Sequence, residues 1–253
     1  MQTLRLEPSV LIEFREGQAA LESPRYYPGG LSVDIGPMMD HAEHERFVLD
    51  ETVGSVDWDS PAPVDEYRFD RLSRMLARLS LVVSEYSEEG WERPLSWLSV
   101  NVVSGTIQLS EPIGDFYVAP AATRWCDARN LILLRSPTGG GGERLRIALA
   151  PGFQLLFEGG LLAGWILEEP ERRISTVEGG LSLYPADPEL AEIMAEYLQL
   201  MAFPTLDGLA EGDPDFKHSL EGMVERLRVD AGATDRRESL RRVIEDVMEY
   251  WYS

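Results

Sequence analysis

The stretch Val64-Asp65-Glu66-Tyr67-Arg68-Phe69-Asp70-Arg71-Leu72-Ser73-Arg74-Met75-Leu76-Ala77-Arg78-Leu79-Ser80-Leu81-Val82-Val83-Ser84-Glu85-Tyr86 decides the reading of the fold. Tyr67, Leu72, Met75, Leu76, Leu79, Val82, Val83 and Tyr86 recur close to a 3.6-residue period, which predicts one long amphipathic helix over 64–86. Glu88-Glu89-Gly90 ends it. Set behind the strands that precede it, this helix gives an α+β chain that opens with a β-meander plus a helix.

The meander is read from turn signals. Leu4-Arg5-Leu6 and Val10 to Phe14 flank Pro8. Glu16-Gly17 turns into a further strand over Gln18 to Glu22. Pro28-Gly29-Gly30 turns into Leu31-Ser32-Val33-Asp34-Ile35, which alternates apolar and polar. A short helix is expected over Pro37 to Phe47. From Trp97 to Leu183 the chain reads as β, with strands at Leu98–Val103, Thr106–Leu109, Phe116–Ala119, Leu131–Arg135, Arg144–Ala150 and Gly164–Leu167. Ser136 to Gly142 reads as a hairpin tip, and Arg173–Val177 with Leu181–Tyr184 as a last hairpin. Asp187-Pro188 and Asp213-Pro214 are N-cap signals for two helices, and Asp235 with Glu238 is a capping-box pattern for a third. The expected organisation is therefore three regions: 1–92, a β-plus-helix unit; 93–185, β-rich; 186–253, a three-helix set.

Composition narrows the partners. The 253 residues carry 23 basic and 44 acidic side chains, a formal charge of −21, and all but one of the basic residues are arginine; Lys217 is the exception. So acidic a body repels phosphate, which argues against direct nucleic-acid binding and against an anionic membrane surface. It suits a protein or peptide partner that is basic or neutral. Hydrophobic residues make up 44%, enough for a core. One cysteine permits no internal disulfide, and no signal-like start or long apolar run is present, so a cytoplasmic location is expected. Composition does not set the oligomeric state.

Candidate chemistry is thin. Asp40-His41-Ala42-Glu43-His44-Glu45 places His41 and His44 on one helical face, the one arrangement that points to a metal; the competing reading is a helix capped by Asp40 with a polar outer face. Cys126 has Arg124 nearby but no histidine, and reads as a buried, inert thiol. Gly139 to Gly142 are followed by Glu143, so they do not form a phosphate loop. Arg236-Arg237 and Arg241-Arg242 read as helix-surface ion pairs. Trp58, Trp91 and Trp97 lie in or beside loops, where exposure marks a binding surface and burial marks an anchor.

The segment Leu4 to Pro24 (Leu-Arg-Leu-Glu-Pro-Ser-Val-Leu-Ile-Glu-Phe-Arg-Glu-Gly-Gln-Ala-Ala-Leu-Glu-Ser-Pro) resembles the opening of streptolysin S-type azoline dehydrogenases. The front part of those enzymes is similar to the precursor-peptide recognition elements of ribosomal-peptide natural-product pathways, a winged-helix unit of three strands and three helices. The resemblance implies that a leader peptide adds a strand to the sheet edge and leans on a helix. The positions would be Leu31, Val33 and Ile35 on the strand and Leu72, Met75 and Leu79 on the helix; the competing reading is that both form an ordinary sheet-on-helix core. The arginine-rich flavin-phosphate site of such a dehydrogenase has no counterpart here, so no FMN and no other cofactor is expected. The leading expectation is a non-catalytic binding or scaffold protein that recognises a polypeptide, in a peptide-modification or defence pathway. The alternatives are an acidic immunity protein or nucleic-acid mimic that covers a basic enzyme, and a metal-dependent enzyme using His41 and His44.

Overall fold

The computed structural model describes residues 2–55, 64–88, 90–136, 141–175, 185–228 and 235–252. It is α+β, with two sheets and a C-terminal helical layer. One hydrophobic core runs through both sheets and into the helices. The expected boundary at 92/93 runs through this core and through one sheet, because N-terminal strands pair with strands from the middle of the chain.

The larger sheet holds eight strands. Its first two are β1 (Gln2–Glu7) and β2 (Val10–Glu16), followed along the chain by β8 (Val102–Leu109), β9 (Thr123–Cys126), β10 (Asn130–Leu134), β11 (Arg144–Ala150), β12 (Phe153–Glu158) and β13 (Leu161–Glu168). Their spatial order is β1-β2-β8-β11-β12-β13-β10-β9. β1 also meets β13 in parallel, with Arg5 opposite Leu161 and the Arg5 amide donating to Gly160 O at 2.8 Å. Six strands thus close into a ring, and β10 and β9 continue from the far half of β13. Closure removes a free edge, the usual liability of a sheet. Gly164 stands at φ +151°, and a Cβ there would lie 2.0 Å from Leu133 O. The register between β12 and β13 shifts next to it, so this glycine lets β10 and β13 approach at a bulge.

Phe153 to Phe157 are all buried. A strand covered on both faces reads as a continuous apolar run, which is why β12 is not announced by alternation. Its inner face joins the main core. Its outer side chain Leu156 packs with Ile132, Leu134 and Ile166 under Trp97. Trp97 belongs to α2 (Glu92–Leu98), a helix that occupies most of the stretch expected to be loop and the start of a strand. β10 and β11 are not neighbours, so Ser136 to Gly142 links separated strands rather than closing a hairpin; residues 137–140 of it lie outside the described residues.

The smaller sheet corrects the long-helix expectation. Residues 64–86 build an antiparallel hairpin, β6 (Glu66–Asp70) and β7 (Leu76–Val82). β3 (Arg25–Tyr27), β4 (Ser32–Ile35) and β5 (Thr52–Gly54) complete the order β3-β4-β7-β6-β5. The Asp70 carboxylate accepts from the amides of Leu72 (3.2 Å) and Ser73 (2.6 Å) and from Ser73 Oγ (2.7 Å), and these bonds, first the Ser73 amide, hold its pKa below the ordinary value. Arg74 follows at φ +62°. A side chain that captures backbone donors in this way competes with helix and sets a turn. Beyond the turn, Leu79, Leu81 and Val83 are buried at period two, a pattern that the helical reading absorbed. Among the described residues of 2–92 there are therefore seven strands shared between two sheets and one α-helix, α1 (His41–Arg46), before α2 begins at Glu92. That is not the three-strand, three-helix unit implied by the resemblance. No strand forms over Gln18 to Glu22 or Phe116 to Ala119.

The C-terminal helices are α3 (Pro188–Leu200), a short α4 (Asp207–Glu211), α5 (Pro214–Arg228) and α6 (Asp235–Tyr252). Asp187 caps α3, accepting from the Leu190 amide at 3.1 Å. The same carboxylate accepts from Arg237 at 2.6 and 2.8 Å, which ties α6 to α3 and lowers the Asp187 pKa, chiefly through that hydrogen bond. Arg236 and Arg237 are buried, a correction to their surface assignment. Arg241 and Arg242 do form helix-surface pairs, with Glu245 (2.6 Å) and Glu238 (2.7 Å). Glu238 serves these arginines rather than a capping box. The hairpin expected over Arg173–Val177 and Leu181–Tyr184 falls mostly outside the described residues; its first residue, Arg173, ends a 3-10 turn, Pro170–Arg173.

Candidate functional site

The six residues expected to seat a peptide do meet, in part, but as core. Ile35 and Leu79 are direct cross-strand partners, as are Val33 and Leu81. Val33, Ile35 and Leu79 are fully buried. β4 lies between β3 and β7, so it offers no edge. Leu72 sits at the hairpin tip, 94% exposed, and Met75 bridges to Gln108 of β8. Leu31 lines a concave surface.

The outer strands of both sheets are covered at single points. Tyr26 of β3 is bridged by Ile174, Ser55 beyond β5 by Phe116, and Arg124 of β9 by Ser87. The Ser175 amide donates to Tyr26 O (2.8 Å), the Phe116 amide to Gly54 O (3.1 Å) and the Glu88 amide to Arg124 O (2.7 Å). Each edge strand of the two sheets carries a short cover at these points.

The concave surface at Leu31 is a cleft of about 590 Å³ between the Gly29–Leu31 turn, the end of β7 and the segment 120–122. Its walls are tied by backbone. The Val83 amide donates to Leu31 O at 2.7 Å, and Ser84 Oγ donates to Ala122 O at 2.7 Å. Val83 and Ala121 are buried and form the floor; Glu85 and Tyr86 are exposed at the rim. The Tyr86 ring, 57% exposed, stacks on Phe203 with centroids 5.2 Å apart. Leu31 stands at φ +44°, a left-handed conformation that is uncommon for leucine and is held by its surroundings. Tyr86 and Phe203 were not foreseen as partners. Tyr86 belonged to a supposed helix face, and no sequence signal joins it to a residue 117 positions on.

His41 and His44 lie on α1, whose N-cap is Asp40. The Asp40 carboxylate accepts from the Glu43 amide (2.8 Å) and Glu43 accepts from the Asp40 amide (3.0 Å). His44 Nε2 is 3.4 Å from Glu66. Among the described residues no three His, Cys, Asp or Glu side chains converge as metal ligands, so the capped helix with a polar face is the geometry found. Cys126 is buried, and burial pushes its thiol up to about 11, against the opposing pull of Arg124. Trp97 is a buried anchor, Trp91 is exposed, and Trp58 lies outside the described residues.

Two charge features stand out. Asp65, 2% exposed, accepts from the Val82 amide at 2.8 Å, and burial raises its pKa to about 7, opposed by that bond and by Arg135. Arginine, in turn, is spent inside. Arg25, Arg68, Arg78, Arg124, Arg146, Arg236 and Arg237 are buried, against two buried carboxylates, Asp65 and Glu171, among the described residues. Most of these arginines donate to main-chain carbonyls: Arg25 to Gly36, Arg68 to Val48, Arg78 to Pro37, Arg146 to Trp97, Leu98 and Val100, and Arg236 to Glu171 and Pro185. A planar fork with five donors does this better than an ammonium.

No family model, curated protein or solved structure matches the chain. No described helix is long and apolar enough to cross a membrane.

Proposed function

We propose that this chain is a binding or scaffold component that recognises a polypeptide partner of basic or neutral character, in a peptide-modification or defence setting. The observation that carries the reading is the inward placement of arginine. Seven guanidinium groups and two carboxylates are buried among the described residues, so carboxylates dominate the surface, and the net charge of −21 sets the field around the chain. A field of that sign draws cationic surfaces together and repels phosphate. The covered points on the sheet edges favour recognition by surface and cleft over strand addition. The test is native purification at low ionic strength followed by intact-complex mass spectrometry. A stoichiometric polypeptide partner of basic or neutral isoelectric point, released as salt shortens the Debye length, is the expected result. A chain that purifies alone, or with nucleic acid, removes the proposal.

A further inference from the structure

We infer that the cleft at Leu31 is where that partner is gripped, and that it takes an arginine or lysine side chain flanked by an aliphatic residue. The inference rests on the polypeptide-binding reading above. The cleft has a size typical of built ligand sites. Its floor is apolar, from Leu31, Val83 and Ala121, and suits an aliphatic side chain. Its rim supplies two things a cation seeks: an exposed tyrosine face and the exposed carboxylate of the adjacent residue, Glu85. Tyr86 is braced by its stack on Phe203 and by the donation of the Arg124 amide to its carbonyl at 2.7 Å, so the ring is positioned before a ligand arrives. A guanidinium or ammonium laid over such a ring gains by cation–π attraction while its methylene stem covers apolar surface. The strongly acidic chain adds long-range attraction of the same sign. Leu31 strengthens the case from the backbone side. Its left-handed φ turns the chain at the cleft wall, and strained backbone of this kind gathers at binding surfaces.

The experiment is selection of a random dodecapeptide display library on the intact chain at moderate salt, repeated on Tyr86→Ala, Tyr86→Phe and Glu85→Gln. Enriched peptides are expected to share an arginine or lysine beside an aliphatic residue. Their affinity is expected to fall roughly 3- to 30-fold on Tyr86→Ala and to survive Tyr86→Phe, the range of a cation–π contact. Glu85→Gln, which removes charge without packing, is expected to weaken the same peptides and to carry the test alone where Tyr86→Ala does not fold. Basic peptides that bind all variants equally overturn the cleft assignment and leave the binding reading standing. No enrichment, or enrichment of acidic or uncharged peptides, overturns both.

Discussion

Arg124 reaches from β9 to the last turn of α3, where its Nη2 donates to the Met201 carbonyl at 2.7 Å and also to that of Leu198. Arg124 is 2% exposed, and among the described residues its guanidinium bonds carbonyls, with no carboxylate within ion-pair distance. What holds a bare cation there is the negative end of a helix, the summed dipole of unsatisfied carbonyls. Burial lowers its pKa, and the neighbouring Tyr26, Cys126, Tyr197 and Glu85 oppose that shift. The C-terminal helices are thereby fastened to the larger sheet through main-chain acceptors rather than through an ion pair.

Arg124→Lys keeps the charge and loses the fork. The ammonium ends one bond short of Nη2, the single atom that serves both carbonyls, so a buried acceptor loses its donor. A loss of about 2–4 kcal/mol is expected, read from the urea midpoint at constant slope. An unchanged midpoint would show that the helix end is satisfied by other means.

Asp65 makes stability depend on pH in a definite direction. Its folded pKa of about 7 lies above the ordinary carboxylate value of 3.8, so the native state binds the extra proton between those limits. Stability from this group is greatest at low pH, falls as pH rises from about 4, and levels off above about 7. Asp65→Asn keeps an oxygen for the Val82 amide and removes the charge. The variant is expected to be more stable than the parent above pH 8, by roughly 2–4 kcal/mol, and the difference should shrink toward zero at pH 4. Parallel unfolding curves across pH 4 to 9 for both proteins check it, since repulsion among the other carboxylates is common to the two. A constant offset would mean that Asp65 is ionised throughout.

Much of the C-terminal third is legible because each cue there is local. Asp187-Pro188 caps α3, and the apolar faces of α3, α5 and α6 follow the helical period. The segment 64–86 misleads because apolar residues spaced by two and by four satisfy both periods; the deciding cue is polar, the Asp70 and Ser73 pair that turns the chain. β12 is hidden for the opposite reason, being apolar on both faces. The cleft is the least legible. Leu31, Tyr86 and Ala122 come from three distant segments, and the bonds that gather them, Leu31 O to Val83 and Ala122 O to Ser84, involve backbone. Sequence carries no mark of such acceptors.

Two glycines should behave oppositely. At Gly164 an added Cβ meets the Leu133 carbonyl at 2.0 Å, and φ is +151°. Neither the backbone nor the bulge has room to yield, so Gly164→Ala is expected to cost more than about 3 kcal/mol or to abolish folding. At Gly222, exposed on α5, nothing lies within 4 Å of the built Cβ. Gly222→Ala is expected to add about 0.5–1 kcal/mol through helix propensity alone. Thermal melts of the two variants beside the parent separate steric demand from backbone freedom, and a tolerated Gly164→Ala would refute the close approach of β10 and β13.

The outer face of the ring depends on one side chain. Trp97, 1% exposed, closes over Ile132, Leu134, Leu156 and Ile166. It is held from two directions. The Arg144 guanidinium lies 4.7 Å from the ring centroid, and Arg146 Nη1 donates to the carbonyls of Trp97 (3.2 Å), Leu98 (3.1 Å) and Val100 (3.3 Å), which fixes the end of α2. Arg146 is itself oriented by the Gln154 side-chain oxygen at 2.9 Å. Removing the indole exposes four aliphatic side chains and leaves Arg144 without its platform. Trp97→Ala is therefore expected to cost about 3–5 kcal/mol, whereas Trp97→Phe, which refills most of the space, should cost less than half of that. Because the cleft at Leu31 is built from other segments, peptide binding by the folded fraction of Trp97→Phe should match the parent. Equal stability of the alanine variant and the parent, measured by denaturant unfolding, would mean that α2 does not seal this face.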